Sequence, residues 1–369
     1  MRKSIIQGLS EKDMKAVIDT YDLNDFYWPN LFPLKFTPTL TWKELTTKFA
    51  VPVAADVVSF NARSPRKTRR VVSRNQGEIP KIDIAYDKEE SDINEYNSLL
   101  HYAGSESGNN ALLDWIYDDS ESCWKGVNAR IEWLALRAMS TGRIVLNSKN
   151  NGDGIVTEEA VSFGIPETHK MGVSVTFRDN APTAKPIDLF KKVVKAAKKE
   201  GVKITDAFMN PETFDDIVAT AQVQKFCANW MVKVTGMESA PNLEALNSAL
   251  EKERLPKIHI IDSLVTIQVE GKDTVCDPWE DGVICFAPSL VQGNTYHAPL
   301  ADESIKDSPA VKYKREHVLI KKFSEEDPVV ETTKGMANAF PAWGNASKCF
   351  LVDTKSGSWN KTEETDPTA

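Results

Sequence analysis

Residues 109–141 read NNALLDWIYDDSESCWKGVNARIEWLALRAMST, and this stretch decides the fold. Its apolar side chains recur at three- and four-residue steps, which is the spacing of one helix face; they are Leu113, Ile116, Val127, Ile131, Leu134 and Ala138. At about 1.5 Å per residue the helix would be on the order of 45 Å long, enough to cross a whole domain. Gly142 follows directly and predicts the end of the helix.

Four acids lie in the first half of this predicted helix, namely Asp114, Asp118, Asp119 and Glu121. Paired carboxylates can perform acid–base chemistry. Acids near a helix N-terminus are also stabilised by the helix dipole. We favour the dipole as the explanation and predict no catalytic site here.

Upstream, residues 26–53 combine aromatic side chains with four prolines, Pro29, Pro33, Pro38 and Pro52. Proline at this density excludes a long helix and predicts an extended arm. An extended aromatic arm cannot bury its own side chains, so we expect it to lie on another surface.

The segment between the arm and the helix changes the sign of its charge along the chain. Residues 54–86 have strand character, and positions 61–74 hold six cations and no acid: Arg63, Arg66, Lys67, Arg69, Arg70 and Arg74. Acids dominate positions 83–95, among them Asp87, Glu89, Glu90 and Asp92. The pattern predicts a long polar two-stranded loop. Its basic part could bind nucleic acid, stay solvated, or contact an acidic surface on another copy of the chain.

Downstream, helices and short strands alternate. Pro186 begins a predicted helix over 186–200, the residues from Asp206 to Met209 form a strand, and Asn210 caps the next helix with Pro211 in its first turn. A further helix is predicted over 242–253. The predicted strands are 143–146, 154–157, 172–177, 258–269, 282–286, 315–323 and 348–353.

The composition excludes several classes of protein. The chain has 369 residues, of which 41% are apolar, and a net charge of -8. It is therefore globular, with room for two or three domains, and its acid excess argues against a free nucleic-acid-binding protein. The five cysteines form no Cys-x-x-Cys pair, which predicts reduced thiols. The first residues resemble no signal peptide, and no run of about 18 apolar residues predicts a membrane span.

No motif for a catalytic or metal site emerges. The chain lacks a glycine-rich phosphate loop, G-x-S-x-G and H-E-x-x-H, and its five histidines are dispersed. A window starting at Asn147 places Gly152 and Glu158 as an EF-hand loop does, but Lys149 stands where an anionic ligand is needed. We predict a hairpin turn there, and no catalytic residue, cofactor or metal ion in the chain.

The order of these pieces resembles the tailed-phage major capsid proteins of the Hong Kong ninety-seven type, nearest to the lambda-like major capsid protein E family. The aromatic arm, the charged loop and the long helix follow one another as in that fold. The run from Asp206 through Asn210-Pro211-Glu212-Thr213 is similar to its strand and helix start, and Asp327-Pro328 and Phe340-Pro341 resemble its C-terminal part.

The resemblance implies an α+β capsid fold with an arm, an extended β-hairpin loop, a peripheral domain with a spine helix, and an axial domain. The implied boundaries are 1–49 for the arm, 50–96 for the loop, 97–219 for the peripheral domain, 220–310 for the axial domain, 311–354 for strands that return to the peripheral domain and 355–369 for a flexible tail.

The resemblance also implies a function. Pentamers and hexamers of the chain would form the icosahedral head shell around double-stranded DNA, which the shell would enclose without sequence-specific binding. The chain would then reside in the virion after assembly in the host cytoplasm and would be no enzyme. The expected partners are further copies, a separate scaffolding protein, a portal protein and a decoration protein, but no membrane. An encapsulin-like compartment is the alternative, and an enzyme of unknown class the third hypothesis.

Under this hypothesis three sets of residues would contact neighbouring copies. The loop cations Arg63, Arg66, Lys67, Arg69, Arg70 and Arg74 would face the acids Asp87, Glu89, Glu90 and Asp92. The arm would lie across an adjacent subunit through Trp28, Phe32, Phe36 and Trp42.

Overall fold

The computed structural model describes residues 4–6, 9–47, 72–102, 106–147, 150–151, 159–234, 241–269, 271–306 and 308–361. Within these ranges the α-helices are α1 (Glu11–Ile18), α2 (Trp28–Leu31), α3 (Glu90–Tyr102), α4 (Glu106–Thr141), α5 (Pro186–Lys199), α6 (Pro211–Val218), α7 (Ala221–Val234) and α8 (Leu243–Lys252). The mixture of these helices with the strands below confirms the predicted α+β class.

The strands of the described ranges are short, with one exception near the C-terminus. They are β1 (Leu34–Phe36), β2 (Thr41–Thr47), β3 (Val72–Glu78), β4 (Lys81–Lys88), β5 (Arg143–Leu146), β6 (Glu159–Ser162), β7 (Lys170–Gly172), β8 (Asp206–Met209), β9 (Lys257–Ile260), β10 (Val265–Val269), β11 (Lys272–Cys276), β12 (Val283–Ala287), β13 (Asn294–Ala298), β14 (Val311–Arg315), β15 (Val318–Glu326), β16 (Val329–Ala342) and β17 (Phe350–Asp353).

The helix α4 is the long helix that the sequence predicts, and it begins three residues earlier than the predicted start at 109. Its apolar face is buried at Val127, Ile131, Leu134 and Ala138. It ends at Gly142, whose φ of 80° lies in the left-handed region that favours glycine. The amide of Gly142 donates to the Ala138 carbonyl at 2.9 Å, which completes the last turn.

The dipole explanation for the acids of α4 is wrong. Because the helix begins at Glu106, positions 114–121 lie two to four turns into it. Two of the four acids form ion pairs instead. Asp119 contacts Lys88 of β4 at 3.1 Å, and Glu121 contacts Lys125 one turn later at 2.6 Å.

The first large sheet has the strand order β1, β13, β16, β15, β14, and β4 pairs with β16 as well. The long strand β16 is its centre, since it pairs with β15, β4 and β13 along its length. The helix α4 crosses this sheet closely. A Cβ atom on Gly335 of β16 would lie 2.8 Å from the Cβ of Cys123, so this position has room only for glycine.

The second large sheet has the order β7, β17, β12, β8, β9. Helices α5 to α8 bury their apolar residues in its separate core, to which β8, β9, β12 and β17 contribute. The predicted strand at 172–177 is wrong beyond Gly172. The amides of Val173 and Phe177 bond instead to the carbonyls of Ser356 and Thr354, which follow β17.

The membership of the two sheets does not follow the predicted domain ranges, whose boundaries stay predictions. Strand β8 lies in the predicted peripheral range 97–219 but belongs to the second sheet, and β13 lies in the predicted axial range 220–310 but belongs to the first. Strand β17, predicted to return to the peripheral domain, joins the second sheet. Strand pairing between distant segments decides these memberships, and local sequence patterns do not contain it.

The predicted loose tail is anchored over its first residues. Lys355 pairs with Asp281, and Lys361 contacts Glu280 at 2.8 Å. The backbone at Gly357 and Ser358 lies so close to Gly172 that a Cβ on Gly172 would come within 2.4 Å of it. The described part of the tail is therefore held against the second sheet.

Candidate subunit interfaces

The arm is fixed to the spine helix by a buried carboxylate. Glu132 of α4 is fully buried and accepts hydrogen bonds from the backbone N–H groups of Tyr27 at 3.0 Å and Trp28 at 2.8 Å. Burial raises the pKa of Glu132, and the two N–H donors act in the opposite direction. Glu132 thus satisfies two backbone donors where the arm enters the core.

Three of the four predicted arm residues are buried in the chain's own core. Trp28 and Phe32 have no exposed surface, and Trp42 stacks on Phe340 of β16 with ring centroids 5.6 Å apart. The structure here differs from the expectation that these side chains lie on a neighbour. The sheet and α4 supply, within one chain, the apolar surface that the arm needs.

Phe36 is the exception among the arm residues. It is 59% exposed at the end of β1 and contacts His297 edge-on at 5.5 Å. Because β1 pairs only with β13 in the described part of the chain, it forms an edge of the first sheet. Of the four predicted arm residues, Phe36 is therefore the one that another molecule can reach.

The charged loop begins and ends on a two-stranded ladder. β2 and β3 pair antiparallel from Thr41 opposite Glu78 to Thr47 opposite Val72. Arg74 belongs to β3, where it stands opposite Leu45. The other five predicted cations lie outside the described residues, so their contacts stay predictions: Arg63, Arg66, Lys67, Arg69 and Arg70.

The predicted acidic counterpart divides into residues with local partners and residues without them. Asp87 accepts a hydrogen bond from the Thr332 hydroxyl at 2.6 Å on the neighbouring strand. Asp92 accepts one from the backbone N–H of Glu89 at 2.9 Å, which caps the start of α3. The carboxylates of Glu89 and Glu90 are exposed and form no ion pair within the described ranges.

The one cation inside this acidic segment points inward. The Lys88 ammonium contacts Asp119 at 3.1 Å and lies 4.6 Å from the ring centroid of Trp115, which stacks on Tyr96 of α3 at 4.7 Å. Lys88 therefore fixes α3 and β4 to the spine helix and leaves the outer acids uncompensated.

Three of the histidines hydrogen-bond to or pack against other residues of the folded chain. His169 bonds to Glu200 at 2.8 Å and stacks on Phe350, and His259 bonds to Asp206 at 2.7 Å. His317 contacts the Asn128 side chain at 3.1 Å, and burial lowers its pKa to about 3. None of these three hydrogen-bonds to a Ser, Thr or Cys side chain among the described residues.

The described residues offer no metal site and no disulfide bond either. No group of three or more His, Cys, Asp or Glu side chains in the described ranges could hold a metal ion. All five cysteines are buried, and none of them forms a disulfide bond. Most of the EF-hand-like window lies outside the described residues. At its start, Asn147 and Asn150 hydrogen-bond to each other's backbone N–H groups as in a turn.

No helix in the described ranges is both long and apolar enough to cross a bilayer.

One anchoring contact was missed by sequence reasoning. The buried carboxylate of Glu331 in β16 accepts hydrogen bonds from the Ser4 hydroxyl at 2.5 Å and the Ile5 N–H at 3.0 Å. The start of the described chain therefore lies on the first sheet. Because the sequence around Glu331 is polar, a search for apolar patterns does not predict β16. No local pattern predicts the contact of Glu331 with Ser4 and Ile5 either.

Comparison with known proteins identifies the family. The model of the phage major capsid protein E family matches residues 37–347. No curated protein matches the sequence. A solved structure assigned as a prophage capsid protein of E. coli CFT073 is similar over 94% of this chain and 99% of that one, with a TM-score of 0.57 and 12% identity.

Two further solved structures are similar over most of their length. A phage-related protein of Bordetella bronchiseptica RB50 has a TM-score of 0.49 at 11% identity, covering 94% of this chain and 97% of that one. The capsid of cyanophage A-1(L) has a TM-score of 0.48 at 12% identity, covering 90% and 93%. The family match spans most of the sequence and agrees with the spine helix and the two sheets described above, and the chain therefore belongs to the phage major capsid protein E family.

Proposed function

We propose that copies of this chain assemble as pentamers and hexamers into the icosahedral head shell of a tailed phage, which encloses double-stranded DNA. The family match over residues 37–347 carries this proposal. The role is structural and assigns the chain no catalysed reaction and no cofactor. The same match favours a phage head over an encapsulin-like compartment.

The shell has further partners under this proposal. A separate scaffolding protein and a portal protein take part in assembly, and a decoration protein can bind the finished surface. Assembly takes place in the host cytoplasm, and the mature location is the virion.

The outer acids at the start of α3 are the described surface that best suits contact with a neighbouring copy. Glu89 and Glu90 are exposed beside an inward-facing Lys88 and have no cation of their own chain within the described ranges. The loop cations Arg66, Lys67, Arg69 and Arg70 of an adjacent copy would supply the opposite charge. Charge complementarity of this kind sets register and suppresses wrong contacts.

Electron microscopy of the expressed chain, alone and with its scaffolding protein, tests the shell proposal. We expect shells, rings or capsomers with five- and six-fold symmetry. A chain that stays monomeric under all assembly conditions would contradict the proposal.

A charge-swap series tests the acidic interface. Changing Arg66, Lys67, Arg69 and Arg70 to Glu should abolish shells while the subunit stays folded, and Glu89→Lys with Glu90→Lys should do the same. Combining the two sets should restore part of the assembly, since the signs become opposite again.

The matched control for this series is Glu11→Lys with Glu244→Lys. These two acids are exposed as well, and like Glu90 they lie in the first turn of a helix, α1 and α8. The control should assemble normally. Normal shells from the single-sided swaps, with unchanged yield, would contradict the interface.

A further inference from the structure

The solvent face of α5 carries five cations, and its single acid, Asp188, lies in the first turn of the helix. Five lysines of the helix point away from the second core and are exposed: Lys191, Lys192, Lys195, Lys198 and Lys199. The opposite face is buried through Leu189, Phe190, Val193 and Ala197. We call the five lysines the α5 lysine face.

These cations have almost no partners in the described part of their own chain. Lys191 alone forms an ion pair there, with Glu253 at 3.4 Å, and both side chains of that pair are half exposed. The nearby carboxylate of Glu200 is occupied by His169 at 2.8 Å. The remaining four lysines form no ion pair with any described residue, so their charge is open to an external anion.

The helix dipole accounts for only two of the five lysines. Lys198 and Lys199 suit the negative end of the helix dipole, but Lys191, Lys192 and Lys195 lie too far from it to gain. Exposed faces that keep a protein soluble commonly mix both signs of charge, whereas the exposed charged positions of α5 from Lys191 to Lys199 carry cations only. The helix α1 follows the mixed pattern, since its exposed positions alternate Glu11, Lys12, Asp13 and Lys15.

The choice of lysine indicates the class of partner. Interfaces between proteins are depleted in lysine and enriched in arginine, because arginine forms fixed, bidentate contacts with carboxylates. All five cations here are lysines, which act as hydrated point charges on flexible stems. Such groups neutralise a phosphate backbone without fixing sequence or register.

The spacing of the lysines also suits a backbone of phosphates. Lys192, Lys195 and Lys199 stand at steps of three and four residues, which places neighbouring side chains on one side of the helix about 5–6 Å apart at Cβ. A row of this kind can follow several consecutive charges of a nucleic-acid strand.

We propose that the α5 lysine face binds the phosphate backbone of double-stranded DNA, without sequence preference, on the lumen side of the shell. The inference rests on the proposed shell function, because the shell brings the DNA to this face. Contacts of a few lysines are weak and salt-dependent, so the DNA stays free to be packaged and ejected.

The binding test uses the full chain and a fluorescently labelled random-sequence DNA duplex at several salt concentrations. The variant Lys192→Gln, Lys195→Gln, Lys198→Gln and Lys199→Gln should bind about tenfold or more weakly at low salt. Its plot of log affinity against log salt should be shallower by about 0.9 for each phosphate that the variant no longer neutralises.

The matched control removes the same charge elsewhere, by Lys12→Gln, Lys15→Gln, Lys272→Gln and Lys306→Gln. These lysines are exposed and form no ion pair in the described ranges. The control should bind like the unmodified chain. Equal binding by both variants, or no DNA binding by the unmodified chain at low salt, would overturn the inference.

Assembly separates this inference from the proposed function. The α5 variant should still form shells, and a reconstruction should place α5 on the inner surface. Loss of shells with unchanged DNA binding would make the face a contact between copies and overturn the inference. Shells with α5 outside would also overturn it and leave the shell function standing.

Discussion

The two segments on either side of residues 48–71 differ in where they place their characteristic side chains: one buries its aromatic residues, and the other exposes its acids. On the arm side, residues 26–47 turn Trp28, Phe32 and Trp42 into the chain's own core. On the acidic side, residues 81–95 turn one cation inward and leave Glu89 and Glu90 exposed. The sequence predicts contact with neighbouring copies for both segments.

The difference shows what each kind of pattern can predict. An apolar residue needs burial, but the hydrophobic effect has no direction and does not specify which chain provides the surface. An exposed charge without a partner in its own chain can still pair with an opposite charge on another molecule. Under the proposed shell function, Glu89 and Glu90 therefore remain candidates for contact between copies, whereas Trp28, Phe32 and Trp42 do not.

The largest expected effect concerns Trp42, whose burial in its own chain distinguishes the arm from the acidic segment. Trp42→Ala removes a buried ring stacked on Phe340 and should lower the free energy of unfolding by about 3–5 kcal/mol. Urea denaturation of the unassembled subunit measures this. The variant Trp42→Phe, which keeps a ring, should be destabilised less. An unchanged unfolding free energy combined with failed assembly would place Trp42 between copies instead.

A second prediction concerns Lys322, a buried residue of β15 whose side chain contacts α4 and β16. Its ammonium donates to the Ile116 carbonyl at 2.7 Å and the Thr333 hydroxyl at 2.8 Å. Burial lowers the pKa of Lys322 from 10.5 to about 8. As pH falls below 10.5 the unfolded chain takes up a proton that the folded chain does not, so stability falls until about pH 8.

Lys322→Met removes this dependence. Its stability relative to the unmodified protein should therefore be higher at pH 8 than at pH 10.5, by about 3 kcal/mol. Denaturation at both pH values measures the difference, and Lys12→Met, at an exposed position, is the control. Parallel pH profiles for Lys322→Met and the unmodified chain would contradict the prediction.

The smallest expected effect on stability concerns Phe36, which is exposed, unlike the other three predicted arm residues. Phe36→Ser should change the free energy of unfolding by less than about 1 kcal/mol, because surface substitutions rarely cost more. If Phe36 contacts a neighbouring copy, the yield of shells should fall. Phe36→Leu keeps an apolar side chain and should assemble better than Phe36→Ser. Equal yields from both would remove Phe36 from the interface.

The helices that carry local start and stop signals were predicted well, whereas α3 and α7 were not predicted. The cap at Asn210, the first-turn prolines Pro186 and Pro211, and the terminating glycine at 142 fixed α4, α5 and α6 nearly to the residue. Caps and apolar periodicity act over one or two turns of chain, so the sequence contains the whole signal.

Strands and their pairing were predicted less well. β16 was missed because its first half is polar on both faces, with Lys334 on one side and the buried Glu331 on the other. The membership of β13 and β17 in their sheets depends on partners far away along the chain. Long-range pairing of this kind leaves no mark in a local pattern.

The candidate interface was predictable in part. The sequence marked the acidic segment correctly as an excess of charge, but only the structure separated Glu89 and Glu90 from Asp87 and Asp92, whose carboxylates have local partners. The lysines of α5 were visible in the sequence as well. Their common face emerged only when the opposite side of the helix was buried.

The sequence by itself determined the α+β class, the spine helix, the helices with clear caps and the resemblance to phage capsid proteins. The tertiary structure alone decided which chain buries the arm, where the two sheets divide and which charges remain unpaired. The physical reason is that helix formation depends on neighbouring residues, whereas burial and charge pairing depend on surfaces that only the folded chain brings together.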